Sequence, residues 1–448
     1  MRIVLLAAGS RGDYQPVLAV AAGLRARGHQ VGITATSDFA EVVTAEGFAV
    51  EEVRADVMGR YREEAAAQMP ATVPGQIALL GEWAAQLAPE IGRTVRDLWP
   101  RYDAVVSTAL TVSWACALSA TSPRPHVTML FVPALPTVWG DASMLSVRQG
   151  RSAANLVAGL RALTPGSRLT GTALQELGSG LTSVQRLRAG RLMLSTPTFI
   201  AHSPQVVAAR RVSGRRVRTT GYPFRELPAG ARLSPATAAF LAAGPPPVYV
   251  GFGSQSAPAT REALRHAVEA ALALGHRVVA LRGTGLAEGE VHASPGAAPA
   301  PGESPVLGES PAPGAATAPG QRAEATATPY PRLHFVDDEP HELLFPRCTV
   351  VVHHGGAGTT AQALRSGVPQ VVVPFTLDQP FFGRRVHEIG VAGAPVPVQG
   401  ATRAALAESL RTATGDHVRR RAEQVGGLVA AERGVDAAVR CVEQTLGA

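Results

Sequence analysis

The chain has 448 residues, 46% of them hydrophobic, which is long for one domain and apolar enough for two full cores. Its formal charge is +7 and all 42 basic residues are arginine; beside so much alanine, glycine and proline, that bias points to the coding composition of the source rather than to nucleic-acid binding. Three cysteines, Cys116, Cys348 and Cys441, are too few and too scattered for a disulfide framework or a metal-ligand set, and no apolar run is long enough to span a membrane.

The opening MRIVLLAAGSRGD superficially resembles a signal peptide, but its apolar run is short and passes straight into a charged glycine turn. It reads instead as a first buried strand, Ile3–Ala8, in a soluble, cytoplasmic protein. Strands and helices then alternate. A helix is predicted over Pro16–Arg27, a strand over Gln30–Thr34, a helix over Asp38–Glu46 and a strand over Phe48–Val53. Ala104–Ser107 enters a helix at Val112–Ala120, and His126–Phe131 is another strand. Short apolar strands alternating with helices predict a parallel sheet covered on both faces. The less regular, mostly helical stretches from Val53 to Tyr102 and from Trp139 to Arg191 suit the walls of a pocket. Arginines gather between Arg148 and Arg218, including Arg210-Arg211 and Arg215-Arg216. They make a solvated face, or one that touches anionic lipid or an acidic acceptor.

After Thr198–His202 and Val217–Thr219 comes TGYPF, then a proline-rich stretch of little periodicity that predicts an interdomain linker over 221–246. A second alternating series follows, with strands at Val248–Gly251, Arg277–Leu281, Leu333–Val336, Thr349–His353 and Gln370–Val373, and a helix at Arg261–Leu274. Within it, 285–329 is rich in Ala, Pro, Gly, Ser, Thr and Glu and reads as a disordered insertion. Amphipathic helices are predicted at Arg403–Ala413 and His417–Ala431, and a last one, Val435–Leu446, crosses back over the first domain. The expected division is therefore 1–220, 221–246, 247–430 and 431–448.

The most informative segment runs from Val350 to Arg385, VVVHHGGAGTTAQALRSGVPQVVVPFTLDQPFFGRR. A buried strand meets two histidines, a glycine turn and a helix. A second buried strand then leads to Asp378-Gln379. A helix N-terminus exposes unpaired N–H groups and roughly half a positive charge, which attracts phosphate. Gly355, Gly356 and Gly358 let the backbone approach an anion and Thr359 adds a hydroxyl. His354, at the strand end, can donate to a pyrophosphate oxygen. Asp378 and Gln379 can project into the same crevice toward sugar hydroxyls. This is the layout of a nucleotide-sugar site.

Together with GSRGDYQP (Gly9–Pro16), FIAHSP (Phe199–Pro204), VGFGS (Val250–Ser254) and FVDDEPHELLFPR (Phe335–Arg347), these motifs closely resemble the GT-B glycosyltransferases of family 1, in their bacterial natural-product and sterol-glucosyltransferase-like branch. The resemblance covers nearly the whole chain. It implies an α/β fold of two Rossmann-like domains facing across a cleft, with the donor mostly on the second and the acceptor against the first. It implies that His354 contacts the donor diphosphate, with Gly356, Gly358 and Thr359 supplying backbone and hydroxyl donors and Ser254 a further phosphate contact. Asp378 and Gln379 would hold sugar hydroxyls, and Phe335 and Val336 fall where the family packs and hydrogen-bonds the nucleobase. The Trp-containing loop of the plant enzymes is absent.

Where many members carry histidine after the first strand, this chain reads Gly9-Ser10-Arg11-Gly12-Asp13, as in glycopeptide- and sterol-acting relatives with Asp at this point. Asp13 is the candidate general base. A carboxylate of ordinary pKa near 4 serves an alcohol only if proton transfer is late and the nucleophile well positioned. Arg11 can pair with Asp13 or with phosphate, and Ser10 and Gly12 can contribute from this side of the cleft. Plainer readings stand beside these. Asp13 is a good helix N-cap, Gly9 and Gly12 suit a tight turn, and His353 suits packing. Asp337-Asp338-Glu339 reads as a surface loop rather than a metal motif. His341 and Arg347 either position the base loop or face solvent. His126 and His202 suit a core or a pocket wall. Trp114, Trp139 and Phe131 line either an apolar acceptor pocket or the core.

The expected activity is an inverting, metal-independent transfer of a hexose from a UDP- or dTDP-sugar to a hydroxyl of an apolar small-molecule aglycone. No cofactor, metal or nucleic acid takes part, and membrane contact is secondary. The alternatives are a nucleotide-sugar epimerase of the same fold and a non-catalytic homologue. The first turn is not Gly-x-Gly-x-x-Gly, which argues against a dinucleotide oxidoreductase.

Overall fold

The computed structural model describes residues 1–9, 11–53, 73–162, 181–208, 210–212, 215–253, 258–282 and 332–447. Ser10, Ser254, the Arg11 side chain and the 285–329 insertion lie outside the described residues. In the first lobe the order is β1 (Arg2–Leu6), α1 (Arg11–Ala26), β2 (Gln30–Thr36), α2 (Ser37–Ala45), β3 (Ala49–Val53), α3 (Val73–Leu98), β4 (Ala104–Ser107), α4 (Val112–Thr121), β5 (His126–Leu130), α5 (Ser183–Ser195) and β6 (Thr198–Ile200). A small hairpin, β7 (Arg211–Val212) with β8 (Arg215–Arg216), precedes β9 (Arg218–Thr219). Seven strands form one parallel sheet in the order β3-β2-β1-β4-β5-β6-β9. Ile3 sits between Val31 and Ala104 in register, so its side chain is shielded from both sides and is fully buried.

The second lobe is built the same way from α6 (Pro235–Ala242), β10 (Val248–Gly251), α7 (Pro258–Ala273), β11 (Val278–Leu281), β12 (Leu333–Val336), α8 (His341–Leu344), β13 (Val350–His353), α9 (Ala357–Arg365), β14 (Gln370–Val372), α10 (Gln379–Glu388), α11 (Arg403–Thr414), α12 (Asp416–Ala430) and α13 (Gly434–Leu446). Its five parallel strands run β12-β11-β10-β13-β14. Runs such as Val350-Val351-Val352, buried on both faces, are what a sheet covered by helices on either side requires. In both sheets the strand order reverses beside the first strand, and ligands of such folds settle at that switch point, beyond the carboxyl ends of the strands. The loops that follow β1, β4, β10 and β13 therefore frame the place to look.

Two elements differ from expectation. The first helix begins at Arg11, five residues before Pro16, so Asp13 sits in its first turn rather than in a loop. The stretch expected to be linker contains α6, whose N-cap Ser234 accepts from the Thr237 N–H at 3.3 Å. Pro235, one of the prolines of that stretch, stands at the first helical position, where a missing N–H loses nothing.

The two lobes share apolar surface. Leu130, Ile200 and Val206 of the first pack with Val372, Phe381 and Phe382 of the second in one buried cluster. Across the same junction Arg385 Nε donates to the Val206 carbonyl at 3.0 Å and Arg384 donates to that of Gly140 at 3.2 Å. The final helix, α13, lies on α1 of the first lobe. Gly23 makes room for it, since a Cβ there would stand 2.8 Å from Val435 and Val439 methyls. Among the described residues no helix is long and apolar enough to cross a membrane.

Candidate active site

The second lobe presents its mouth where β13 ends. His353 is fully buried, accepts the Gly355 N–H on Nδ1 at 3.1 Å and meets Gln370 Oε1 through Nε2 at 2.8 Å. That fixes it as the neutral Nε2–H tautomer, with burial holding its pKa down near 3. His353 thus shapes the turn. Gly355 follows at φ +91°, and a Cβ there would press within 2.7 Å of Val372. Gly356 caps α9, and a Cβ there would lie 2.5 Å from His354 Nε2, so the His354 ring lies over the helix start. Burial lowers the His354 pKa to about 4. At neutral pH this imidazole supplies an N–H and no charge, and its Nδ1 has no hydrogen-bond partner among the described residues. The helix itself supplies the positive field, through first-turn amides that have no acceptor within the helix. Thr359 is half-buried at the third helical position. Gly358 faces the first-lobe side of the cleft, where a Cβ would come within 2.9 Å of the Tyr222 hydroxyl.

The loop from β14 to α10 forms the second edge. Gln379 Oε1 accepts the Phe375 N–H at 2.8 Å and the Thr376 N–H at 3.1 Å. Its carbonyl therefore closes the turn instead of facing a sugar. Asp378 is the N-cap of α10 but makes no side-chain cap. Burial, with a contribution from the negative charge of Asp13, raises its pKa to about 7. A carboxyl that holds a proton near neutrality can both donate to and accept from a hydroxyl.

Asp13 approaches from the first lobe. Gly9, at φ +129°, leaves space that the carboxylate occupies, since a Cβ there would be 2.4 Å from Asp13 Oδ2. Only a residue without a side chain allows both that backbone and that close approach. The neighbouring Tyr14 is buried, with its hydroxyl accepting the Thr36 N–H at 3.0 Å, which anchors α1 on the sheet. Burial raises the pKa of the Tyr222 hydroxyl, and Asp13 adds to that rise, as it does at Asp378. The charge of Asp13 therefore acts on both Tyr222 and Asp378, the latter on the opposite lobe.

Other expected residues fall elsewhere. The Phe335 and Val336 side chains are buried in cores on opposite faces of the second sheet, and the Val336 carbonyl accepts the Arg282 N–H at 2.7 Å. Contact with a base through those two side chains does not fit this placement. Gly12 is exposed at the start of α1. Glu339, read as part of a surface loop, is buried. Its burial would raise the pKa, but hydrogen bonds from Ser234 and Thr237 hold it lowered, and it accepts the Ser234 N–H at 3.1 Å to anchor α6. Trp114 and Phe131 belong to cores, whereas Trp139 is half-buried beneath the Arg210 guanidinium at 4.5 Å. His126 bonds Ser107 Oγ at 2.7 Å inside the first sheet. His202 stacks on Phe382 of the opposite lobe at 4.7 Å. His341 meets the Tyr249 hydroxyl at 3.3 Å, and Arg347 is exposed. Of the residues at the site not singled out in the sequence, Tyr222 lies within the TGYPF run and Leu377 within the Val350–Arg385 segment, whereas Gln76 carried no signal.

Over 468 aligned residues the chain is 32% identical to the O-mycaminosyltylonolide 6-deoxyallosyltransferase of Streptomyces fradiae, covering 99% of this chain and 97% of that protein. The chain belongs to the GT-B glycosyltransferases of family 1. Residues 3–94 of this glycosyltransferase match the glycosyltransferase family 28 N-terminal domain, and residues 316–436 match the C-terminal domain of erythromycin biosynthesis protein CIII-like proteins. It is also 26% identical to sterol 3-beta-glucosyltransferase UGT80A2 of Arabidopsis thaliana, over 98% of this chain and 65% of the plant protein's length. Its fold matches the crystal structure of glycosyltransferase VinC in complex with dTDP, with a TM-score of 0.63 at 22% identity, covering 99% of this chain and 100% of that one. The seven- and five-stranded sheets facing across the cleft are thus the two halves of a GT-B glycosyltransferase.

Proposed function

We propose that this glycosyltransferase moves a hexose from a UDP- or dTDP-sugar to a hydroxyl of an apolar small molecule, with inversion and without a metal. The observation that carries the reading is the turn after β13, where Gly355 at φ +91° and Gly356 open the start of α9 beneath the His354 ring. The diphosphate docks at the start of α9, where amides, the His354 N–H and the Thr359 hydroxyl receive it. Asp378 holds sugar hydroxyls beside it. An acceptor hydroxyl enters from the Asp13 side, opposite the diphosphate. Asp13 takes its proton as the acceptor oxygen bonds the anomeric carbon, and the bond from that carbon to the phosphate oxygen breaks with its electron pair leaving on the diphosphate. Attack from the face opposite the leaving group inverts the configuration. Negative charge grows on the diphosphate as that bond breaks, so the helix field stabilises the transition state more than the bound donor. That supports a reaction with no metal to neutralise the leaving group.

The relatives support the acceptor class. One is named for a glycosylated tylonolide and another for a sterol, and a sterol is an apolar alcohol. Asp13→Asn keeps size and removes basicity. Turnover should fall about 10²- to 10⁴-fold, while calorimetric affinity for UDP and dTDP stays within about twofold. Full turnover in that variant removes Asp13 from the mechanism.

A further inference from the structure

Gln76 stands in the first turn of α3, on the first lobe, yet its side-chain carbonyl accepts the Leu377 N–H of the second lobe at 2.7 Å. It is 4% exposed, a degree of burial that glutamine rarely reaches. Leu377 has φ 53° and is the one non-glycine residue with positive φ among the described residues, in a region that L side chains disfavour. The amides around it are otherwise served from within the second lobe. Those of Phe375 and Thr376 go to Gln379 Oε1, and that of Gln379 goes to the Thr376 carbonyl at 3.1 Å. The acceptor for the disfavoured residue comes from the opposite lobe, and the next residue in the chain is Asp378.

We propose that Gln76 is a positioning residue that couples closure of the two lobes to the presentation of Asp378 toward the donor sugar. The inference rests on the reading that Asp378 holds that sugar. With the lobes together, the Gln76 hydrogen bond balances the left-handed backbone at Leu377 and aims the carboxyl that follows. When they part, the Leu377 N–H loses its acceptor, the backbone relaxes toward negative φ, and Asp378 turns with it. Residues held in such backbone regions persist only where surrounding structure over-determines them, and here part of that surrounding belongs to the other domain. The diphosphate mouth at His354 and α9 makes no use of Gln76. Phosphate binding is therefore independent of the latch, whereas the grip on the sugar depends on it.

The test uses Gln76→Met, which keeps the volume and removes the acceptor. Binding of UDP, dTDP, UDP-glucose and dTDP-glucose is measured by calorimetry for the wild type, Q76M, Q76M/L377G and D378N. The readout is the gain in affinity of each sugar nucleotide over its own nucleoside diphosphate. Q76M should cut that gain about five- to tenfold and leave UDP and dTDP affinities within about twofold. Adding Leu377→Gly should restore most of the gain, because glycine takes positive φ freely. An unchanged gain in Q76M, equal losses for nucleotide and sugar nucleotide, or no recovery with glycine each overturns the coupling. Loss of the gain in D378N with its retention in Q76M sinks the latch alone. Retention in D378N, or no gain for either sugar nucleotide in the wild type, sinks the donor-sugar reading and the latch with it.

Discussion

Asp378→Asn should change how stability depends on pH, by an amount the site itself sets. Below the ordinary carboxyl value of 3.8, folded and unfolded chains both carry the proton and the residue makes no difference. As pH rises the unfolded chain releases its proton first, while the folded one keeps it until about 7. The native state then binds more protons, so stability falls through that window. At about 1.4 kcal/mol per pH unit, the loss by pH 8 is at most about 4 kcal/mol. His126, His202 and His354, held near 4 by burial, and His353, held near 3, act in the opposite sense. They stay neutral in the fold and take up protons first in the unfolded chain as pH drops below 6.5, so they favour unfolding in acid. Both proteins share them, and the difference between wild type and D378N isolates the carboxyl. Urea midpoints measured from pH 4.5 to 8 should show D378N gaining on the wild type by about 3 kcal/mol across that range. Asp13→Asn should remove part of the same slope, since Asp13 contributes to it. A difference flat across that range would mean that Asp378 ionises normally, and the enclosed carboxyl pair would be wrong.

Further outcomes follow from the same geometry. His354→Ala should weaken UDP and dTDP binding about tenfold, and because the ring is neutral above pH 6, wild-type affinity should not change with pH between 6.5 and 8 through this residue. Unchanged affinity in the variant would move the diphosphate elsewhere. At Gly434 a Cβ would stand 2.2 Å from the Tyr222 carbonyl, so Gly434→Ala should destabilise by about 1–3 kcal/mol, read as a lower melting temperature. UDP affinity in that variant should be preserved once it is folded.

Much of the site was legible because its chemistry is local in the chain. Val350–Val352, the histidine pair and the spaced glycines announce a strand, a turn and a helix start within ten residues, and that unit needs nothing distant to take shape. The histidine–amide bond between His353 and Gly355 is of the same short range. Asp13 is singled out by the family resemblance instead, and its place in the first turn of α1 is hidden in the sequence by Pro16, which a helix admits inside its first two turns here. For Phe335 and Val336 the sequence leaves the placement of the side chains open for a different reason. Alternation along a strand tells that two neighbours face opposite ways, not that both faces are covered, and here each side chain ends in a separate core.

The amino-acid order alone determined two parallel sheets and the glycine turn into a helix after His354, since apolar periodicity and backbone sterics act over a few residues. Tertiary structure decided what those pieces become together. The raised pKa of Asp378, the tautomer of His353 and the reach of Gln76 to Leu377, 301 positions away, all depend on groups distant in the chain. Burial and charge act through space, and no local pattern records which distant side chain will exclude water from a carboxyl or accept its neighbour's amide.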